Sequence, residues 1–452
     1  GRVRGMERER RRGGEGERER GRKMEMELGW AQRWKHLNRL LSRKGPLAGE
    51  GFEADTEKNH PRRDILLQER ILVIGAGGLG CELLKDLTLV GFRNIDVIDM
   101  DTIDLSNLNR QFLFRPADVG KPKATAAAAF INRRVTGANV VPHYKKIQDF
   151  DEEFYKQFKI VVCGLDSLVA RRWMNSMLIN MVKKLPDGEW DVSSIIPLID
   201  GGTEGLKGHV RVIIPRITSC FECMLDSFPP QTTFPMCTIA NTPRLPEHCI
   251  AWALQIKWEE DNPFGASPDG DNPEHIAWIL QKATERATEF GINGVNYKLT
   301  KGVVKNIIPA IASTNALVAA ACANEALKVL TDISGVLDDY MMYNGGQGAY
   351  LFSFSYFAKD DCNVCGSEYS ALSVSPEDTL QDFLEFLSTD GRFQFSKPSI
   401  RTSNKSLYMM KPEALRKKLE GNLSKKLPEL IDSNTELYVV DPSLVAPARL
   451  LV

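Results

Sequence analysis

Cys237 stands in the run Phe234-Pro235-Met236-Cys237-Thr238-Ile239-Ala240, where a proline precedes a cysteine placed to open a helix. A helix N-terminus favours thiolate, so Cys237 is a candidate nucleophile; an ordinary core cysteine is the competing reading. Arg244 and His248 follow it and would add positive potential if they lie close. Four more cysteines form two knuckles, Cys220-Phe221-Glu222-Cys223 and Cys362-Asn363-Val364-Cys365. Four thiolates in that pattern fit a closed tetrahedral zinc site, which is structural because no coordination position stays open. Two unrelated pairs are the alternative.

A second group of residues suits a nucleotide. Gly75-Ala76-Gly77-Gly78-Leu79-Gly80 follows an apolar run and leads into a helical pattern. Such glycines permit a tight turn and close backbone approach to phosphate at a helix N-terminus. Asp99 ends the next apolar run, where a carboxylate can accept from ribose hydroxyls. These residues alone fit a nicotinamide or flavin domain equally well. Asp101, then Asn107, Arg110 and Gln111, then Lys123 in Gly120-Lys121-Pro122-Lys123, favour nucleotidyl transfer. Fixed cations stabilise the charge that spreads over an attacked α-phosphate and a leaving pyrophosphate. Asp166, in Gly164-Leu165-Asp166-Ser167, is placed to hold magnesium against those phosphates. Taken singly, Arg110 and Lys123 also read as surface charges, and Asp166 as a helix N-cap.

Positioning these groups requires alternating strands and helices. Strands are expected at 71–74, 95–98, 160–163, 198–200 and 210–213, with helices at 82–90, 124–133 and 170–178. That alternation predicts an α/β, doubly wound, Rossmann-like sheet. Trp30 to Leu41 reads as a short amphipathic helix, and 305–329 as a long alanine-rich one. The stretch 228–296, with its prolines and Trp252, Trp258 and Trp278, reads as an inserted helical region. The tail after Cys365 reads as a small α+β domain with strands at 406–409 and 436–440. Cys81, Cys163 and Cys322 sit in apolar patterns and belong to the core.

The resulting partition is a disordered Arg/Glu/Gly tail (1–27), an N-terminal helix and linker (28–65), and a nucleotide domain in two parts (66–227 and 297–368). The cysteine region (228–296) lies between those parts, and a C-terminal domain (369–452) follows. With 452 residues the chain needs two or three cores. A net charge of −1 argues against bulk nucleic-acid binding. No apolar run is long enough for a membrane helix, and no secretory signal opens the sequence. Nine cysteines without a disulfide framework suit a reducing compartment.

The run Gly75 to Gly80, the stretch from Asp99 to Arg115 and Lys121-Pro122-Lys123-Ala124 resemble the adenylation domain of the ubiquitin-like modifier-activating enzymes. The resemblance implies that Asp99, Asn107, Arg110, Lys123 and Asp166 contact ribose, phosphates or magnesium, and that ATP adenylates a small protein's C-terminal carboxylate. Phe234 to Ala240 with Thr242 to Ile250 is similar to the thioester-forming segment, which makes Cys237 the nucleophile and Cys249 a bystander. Similar enzymes hold zinc between two such Cys-x-x-Cys pairs.

The stretches 263–286 and 299–310 resemble the neddylation branch of this family. That implies a regulatory partner subunit carrying the other adenylation half, the neddylation modifier as substrate, a conjugating enzyme as acceptor, and a place in cytoplasm and nucleus. It also implies that Arg211 rejects ubiquitin by charge repulsion; a solvent-facing strand residue is the plainer reading. A SUMO-type subunit, or an adenylyltransferase without the thioester step, are the alternatives. The tail resembles the family's ubiquitin-fold domain, which recruits the conjugating enzyme. Its ending, 441–452, departs from the usual final strand, so an unpaired sheet edge is expected there.

Overall fold

The computed structural model describes residues 33–228, 243–266, 268–270, 272–304, 310–335, 339–366 and 369–452. Cys237, Trp30, the tail 1–27 and the start of the expected 305–329 helix lie outside them.

Eight strands form the main sheet. They are β1 (Arg70–Ile74), β2 (Asn94–Ile98), β3 (Asn139–His143), β4 (Ile160–Cys163), β5 (Leu198–Glu204), β6 (Lys207–Ile213), β7 (Tyr340–Asn344) and β8 (Tyr350–Phe354), in the order β3-β2-β1-β4-β5-β6-β7-β8. The pairs among β1 to β5 are parallel, and β6, β7 and β8 extend the sheet antiparallel. Alternate side chains of β1 enter opposite layers. Ile71 and Val73 join one apolar core, Leu72 and Ile74 the other. A helix that runs Gly78–Val90, with Lys123–Arg134 and Ala312–Thr331, supplies the first core; Leu168–Met181 supplies the second. Strand order reverses between β1 and β4, so their carboxyl ends open a crevice there.

The inserted region has its own small core of Cys249, Ile250, Trp258, Ile279 and Ala283. Its helices are Pro246–Trp252, Trp258–Asp261 and Pro273–Glu289, with a π-helical turn at Ala253–Lys257; Tyr297–Val304, expected in the second part of the nucleotide domain, packs against this core through Leu299, Val303 and Val304. The N-terminal helix spans Lys35–Leu41, with Trp34 and Leu41 buried. Among the described residues no helix is long and apolar enough to cross a membrane.

The C-terminal domain is a second sheet of β9 (Ser370–Ala371), β10 (Ser399–Arg401), β11 (Ser406–Tyr408), β12 (Glu436–Val440) and β13 (Ala448–Leu451), ordered β11-β10-β12-β13-β9. The expected unpaired ending is therefore corrected. β13 pairs antiparallel with β12 and parallel with β9. Its period of two is the reason: Ala448 and Leu450 are fully buried in the domain core while Arg449 faces out over the Tyr369 ring. The composition of 441–452 hides this, because only four residues carry the alternation.

Candidate active site

The glycine turn joins β1 to the helix Gly78–Val90. Gly75 has φ +96°, and a Cβ on it would lie 2.7 Å from the Gly164 carbonyl oxygen. Only glycine fits such a conformation and approach without strain. The Gly75 amide donates to Ile98 O and the Gly164 amide to Ile74 O, both at 2.8 Å. These bonds tie the turn to the strand ends on either side. Asp99 bonds to the turn itself, accepting from the amides of Ala76 (2.7 Å) and Asp101 (2.8 Å). Burial pushes its carboxyl above the usual aspartate value, against the opposing pull of Lys123 and those two amides.

The loop carrying Arg110 is held by a reciprocal cap. Asp104 accepts from the Ser106 amide at 2.6 Å, and Asn107 accepts from the Asp104 amide at 2.9 Å. Arg110 then lies along the turn, its Cγ 3.5 Å from where a Cβ on Gly78 would sit. Its guanidinium donates to Ser106 O and Asn109 Oδ1, both at 3.1 Å. Gln111 is buried beside Gly77. Lys123 opens the helix Lys123–Arg134 and donates to Asp101 Oδ2 at 2.8 Å. The structure thus gathers Gly75 to Gly80, Asp99, Asp101, Arg110 and Gln111 at the β1 and β2 ends, with Lys123 tied to Asp101. Asn107 acts as a cap of their loop. Asp166 sits two residues past Gly164 and is exposed. The helix cap behind it is Ser167, not Asp166.

Sequence reasoning missed what fixes the Asp166 loop. Arg171 donates to both oxygens of Asp200 (2.8 and 2.7 Å), to Gly201 O (3.0 Å) and to Leu165 O. Its guanidinium also lies 3.2 Å from His209 Nε2, which itself sits 3.5 Å from Asp200 Oδ2. Burial pushes the His209 pKa down to about 4. Asp200 is held below its ordinary value: its burial acts the other way, and Arg171, His209 and Arg211 outweigh it. Asn315 was missed as well. It lies against Gly78, and its signal was a polar Ser313-Thr314-Asn315 step in the first turn of an otherwise apolar helix.

Arg211 is not the solvent-facing strand residue of the plainer reading. It is fully buried, with the Phe221, Phe228 and Tyr340 rings 4.8, 4.5 and 4.9 Å from its guanidinium carbon. None of its side-chain nitrogens has a hydrogen-bond partner among the described residues. The aromatic faces compensate the cation in part.

The two cysteine knuckles meet. Sγ separations are 3.8 Å for Cys220–Cys223, 3.6 Å for Cys220–Cys362 and 3.3 Å for Cys223–Cys365. Tetrahedral zinc with four thiolates asks for about 3.8 Å between sulfurs. All four lie within 4.8 Å of one another, so the donor set fits that ion. Cys81, Cys163 and Cys322 are buried as expected. Cys249 is buried too, and burial raises its pKa against the pull of Arg286. His248 Nδ1 accepts from the Arg244 amide at 3.1 Å, at the start of Pro246–Trp252.

Residues 56–364 match the model of the ThiF family and residues 373–452 that of an E2 binding domain. The chain belongs to the ThiF family. Over nearly its whole length it is similar to the NEDD8-activating enzyme E1 catalytic subunits of several organisms. It is 54% identical to that of Dictyostelium discoideum, over 93% of this chain and 96% of the relative. For Drosophila melanogaster the identity is 50%, over 91% and 92%. For Arabidopsis thaliana it is 47%, over 88% and 86%.

Proposed function

We propose that this chain is the catalytic subunit of an enzyme that activates NEDD8, the modifier in its relatives' name. ATP binds at the glycine turn with its ribose on Asp99. The modifier's C-terminal carboxylate attacks the α-phosphate, forming the acyl-adenylate and releasing pyrophosphate. Arg110 swings from Ser106 O, and Lys123 from Asp101, onto the phosphates, where charge accumulates in the transition state. Magnesium, held by Asp166, would neutralise further phosphate charge. The Cys237 thiolate then attacks the acyl carbon and expels AMP. A conjugating-enzyme cysteine, brought by the C-terminal domain, takes the acyl group in a second exchange. Zinc at the four cysteines would be structural.

The observation that carries this reading is the placement of Arg110 along the glycine turn, with Lys123 tethered beside it through Asp101. A nicotinamide site has no use for that pair of cations. Three finer points belong to the proposal. A regulatory subunit with the second adenylation half binds this chain; the edge hairpin β7–β8, which exposes Tyr350, Leu351 and Phe352, supports a protein partner there. Arg211 selects the modifier, so Arg211→Gln admits ubiquitin. The chain works in cytoplasm and nucleus.

The test uses the purified complex with its partner subunit. A thiol-sensitive adduct of NEDD8 on this chain, lost in Cys237→Ala while ATP–pyrophosphate exchange persists, is expected. Exchange without an adduct would reduce the chain to an adenylyltransferase, and a SUMO adduct in preference to NEDD8 would move it to the SUMO branch.

A further inference from the structure

The steps above leave one buried donor at the glycine turn without a task. Asn315 is the fourth residue of the helix Ala312–Thr331 and is 2% exposed. Its Oδ1 accepts from Thr203 Oγ1 at 2.6 Å. Among the described residues its Nδ2 has no hydrogen-bond partner. That nitrogen ends against Gly78: a methyl group there would collide with it. Buried amide donors are normally satisfied, and an orphan beside a binding turn calls for an acceptor supplied from outside. Thr203 stands at the carboxyl end of β5, so the amide is fixed from the crevice side of the sheet.

We propose that Asn315 Nδ2 donates a hydrogen bond to an anionic oxygen of the reacting pair at Gly78. That oxygen belongs either to an ATP phosphate or to the modifier's terminal carboxylate. Thr203 holds the amide in the donating orientation. The inference rests on the adenylation reading of the same turn. The absence of a side chain at Gly78 then has two causes: close backbone approach to the anion, and room for this nitrogen. Arg110 Cγ lies 3.5 Å from the same Cβ position, so both side chains converge on Gly78.

Asn315→Asp is the discriminating variant. It keeps an oxygen facing Thr203 and replaces the donor by a negative oxygen. Asn315→Ala removes both groups. A donor to an anion makes Asp the worse variant, whereas a packing role makes Ala the worse. In the partner complex, Asn315→Asp is expected to weaken one ligand about 10- to 100-fold and Asn315→Ala less. A raised ATP dissociation constant without modifier identifies the phosphate as the acceptor. A raised modifier KM in pyrophosphate exchange, with ATP binding intact, identifies the carboxylate. Unchanged constants in both arms, or Ala worse than Asp with a lowered unfolding temperature, would overturn the inference while leaving the adenylation reading intact. A wild-type complex without ATP–pyrophosphate exchange would overturn both.

Discussion

Lys123 Nζ lies 2.8 Å from Asp101 Oδ2, a nearly buried cation held by a half-exposed acid. On the proposed mechanism the pair parks the lysine beside the glycine turn until phosphate offers a better partner. Lys123→Ala is expected to lower ATP–pyrophosphate exchange by about 10²–10³-fold, the usual cost of removing a group aimed at developing charge. Asp101→Asn should change it only a few-fold, since an exposed partner is worth about 1 kcal/mol or less. Equal losses in the two variants would show that the pair acts as one structural unit.

Arg172 forms a fully buried ion pair with Glu222, inside the first cysteine knuckle, and donates to Gln394 O of the C-terminal domain at 2.8 Å. Glu222→Gln leaves the guanidinium without its counter-charge and should cost about 3–5 kcal/mol in urea unfolding. The double variant Arg172→Met with Glu222→Leu should cost less than either single one. Limited proteolysis between 360 and 400 should quicken in Arg172→Met, because the arginine also binds the C-terminal domain.

Removing the knuckle ion should loosen the base of the adenylation domain. Chelation, or Cys362→Ser, is expected to release one equivalent of zinc to a chromogenic chelator and to lower stability by about 3 kcal/mol or more. Loss of exchange activity should follow unfolding rather than precede it. Activity lost before any change in the melt would place the ion nearer the chemistry than the four-thiolate site allows.

His209 makes the fold acid-sensitive. Its folded pKa of about 4 lies below the ordinary 6.5, so below pH 6.5 the unfolded chain binds a proton that the native one refuses. Stability is full above that value and falls as pH drops from 6.5 toward 4, by about 3 kcal/mol across the window. Asp200, also held low, adds a further loss as pH falls below the ordinary aspartate value of 3.8. His209→Gln should flatten the slope of stability between pH 6.5 and 4.5.

The sequence announced those parts of the site that follow strand ends. Gly75 and Asp99 come directly after apolar runs and Asp166 three residues after one, and the strands at 71–74, 95–98 and 160–163 are where that pattern put them. The long helix begins at Ala312, seven residues into the expected 305–329 span, and a separate short helix occupies Tyr297–Val304. β3 escaped because its burial is poor: only Val140 is fully enclosed. β7 and β8 escaped for a related reason, since an edge hairpin with both faces half-open shows no alternation. The Arg171–Asp200–His209 cluster and the Thr203–Asn315 bond join segments far apart in the chain, and no local pattern encodes such pairs. Arg211 illustrates the limit: a charged residue in a strand reads as exposed until the three rings around it are in place.

The two knuckles stand at either end of everything from Met224 to Asp361, which includes the helical insertion, the long helix and the edge hairpin. An ion bound there ties that whole stretch into a ring. The unfolded chain then loses much of its freedom to spread, as it would with a cross-link, while the thiols stay reduced. Both ends of that ring are then held, through the ion, beside the sheet that carries the glycine turn.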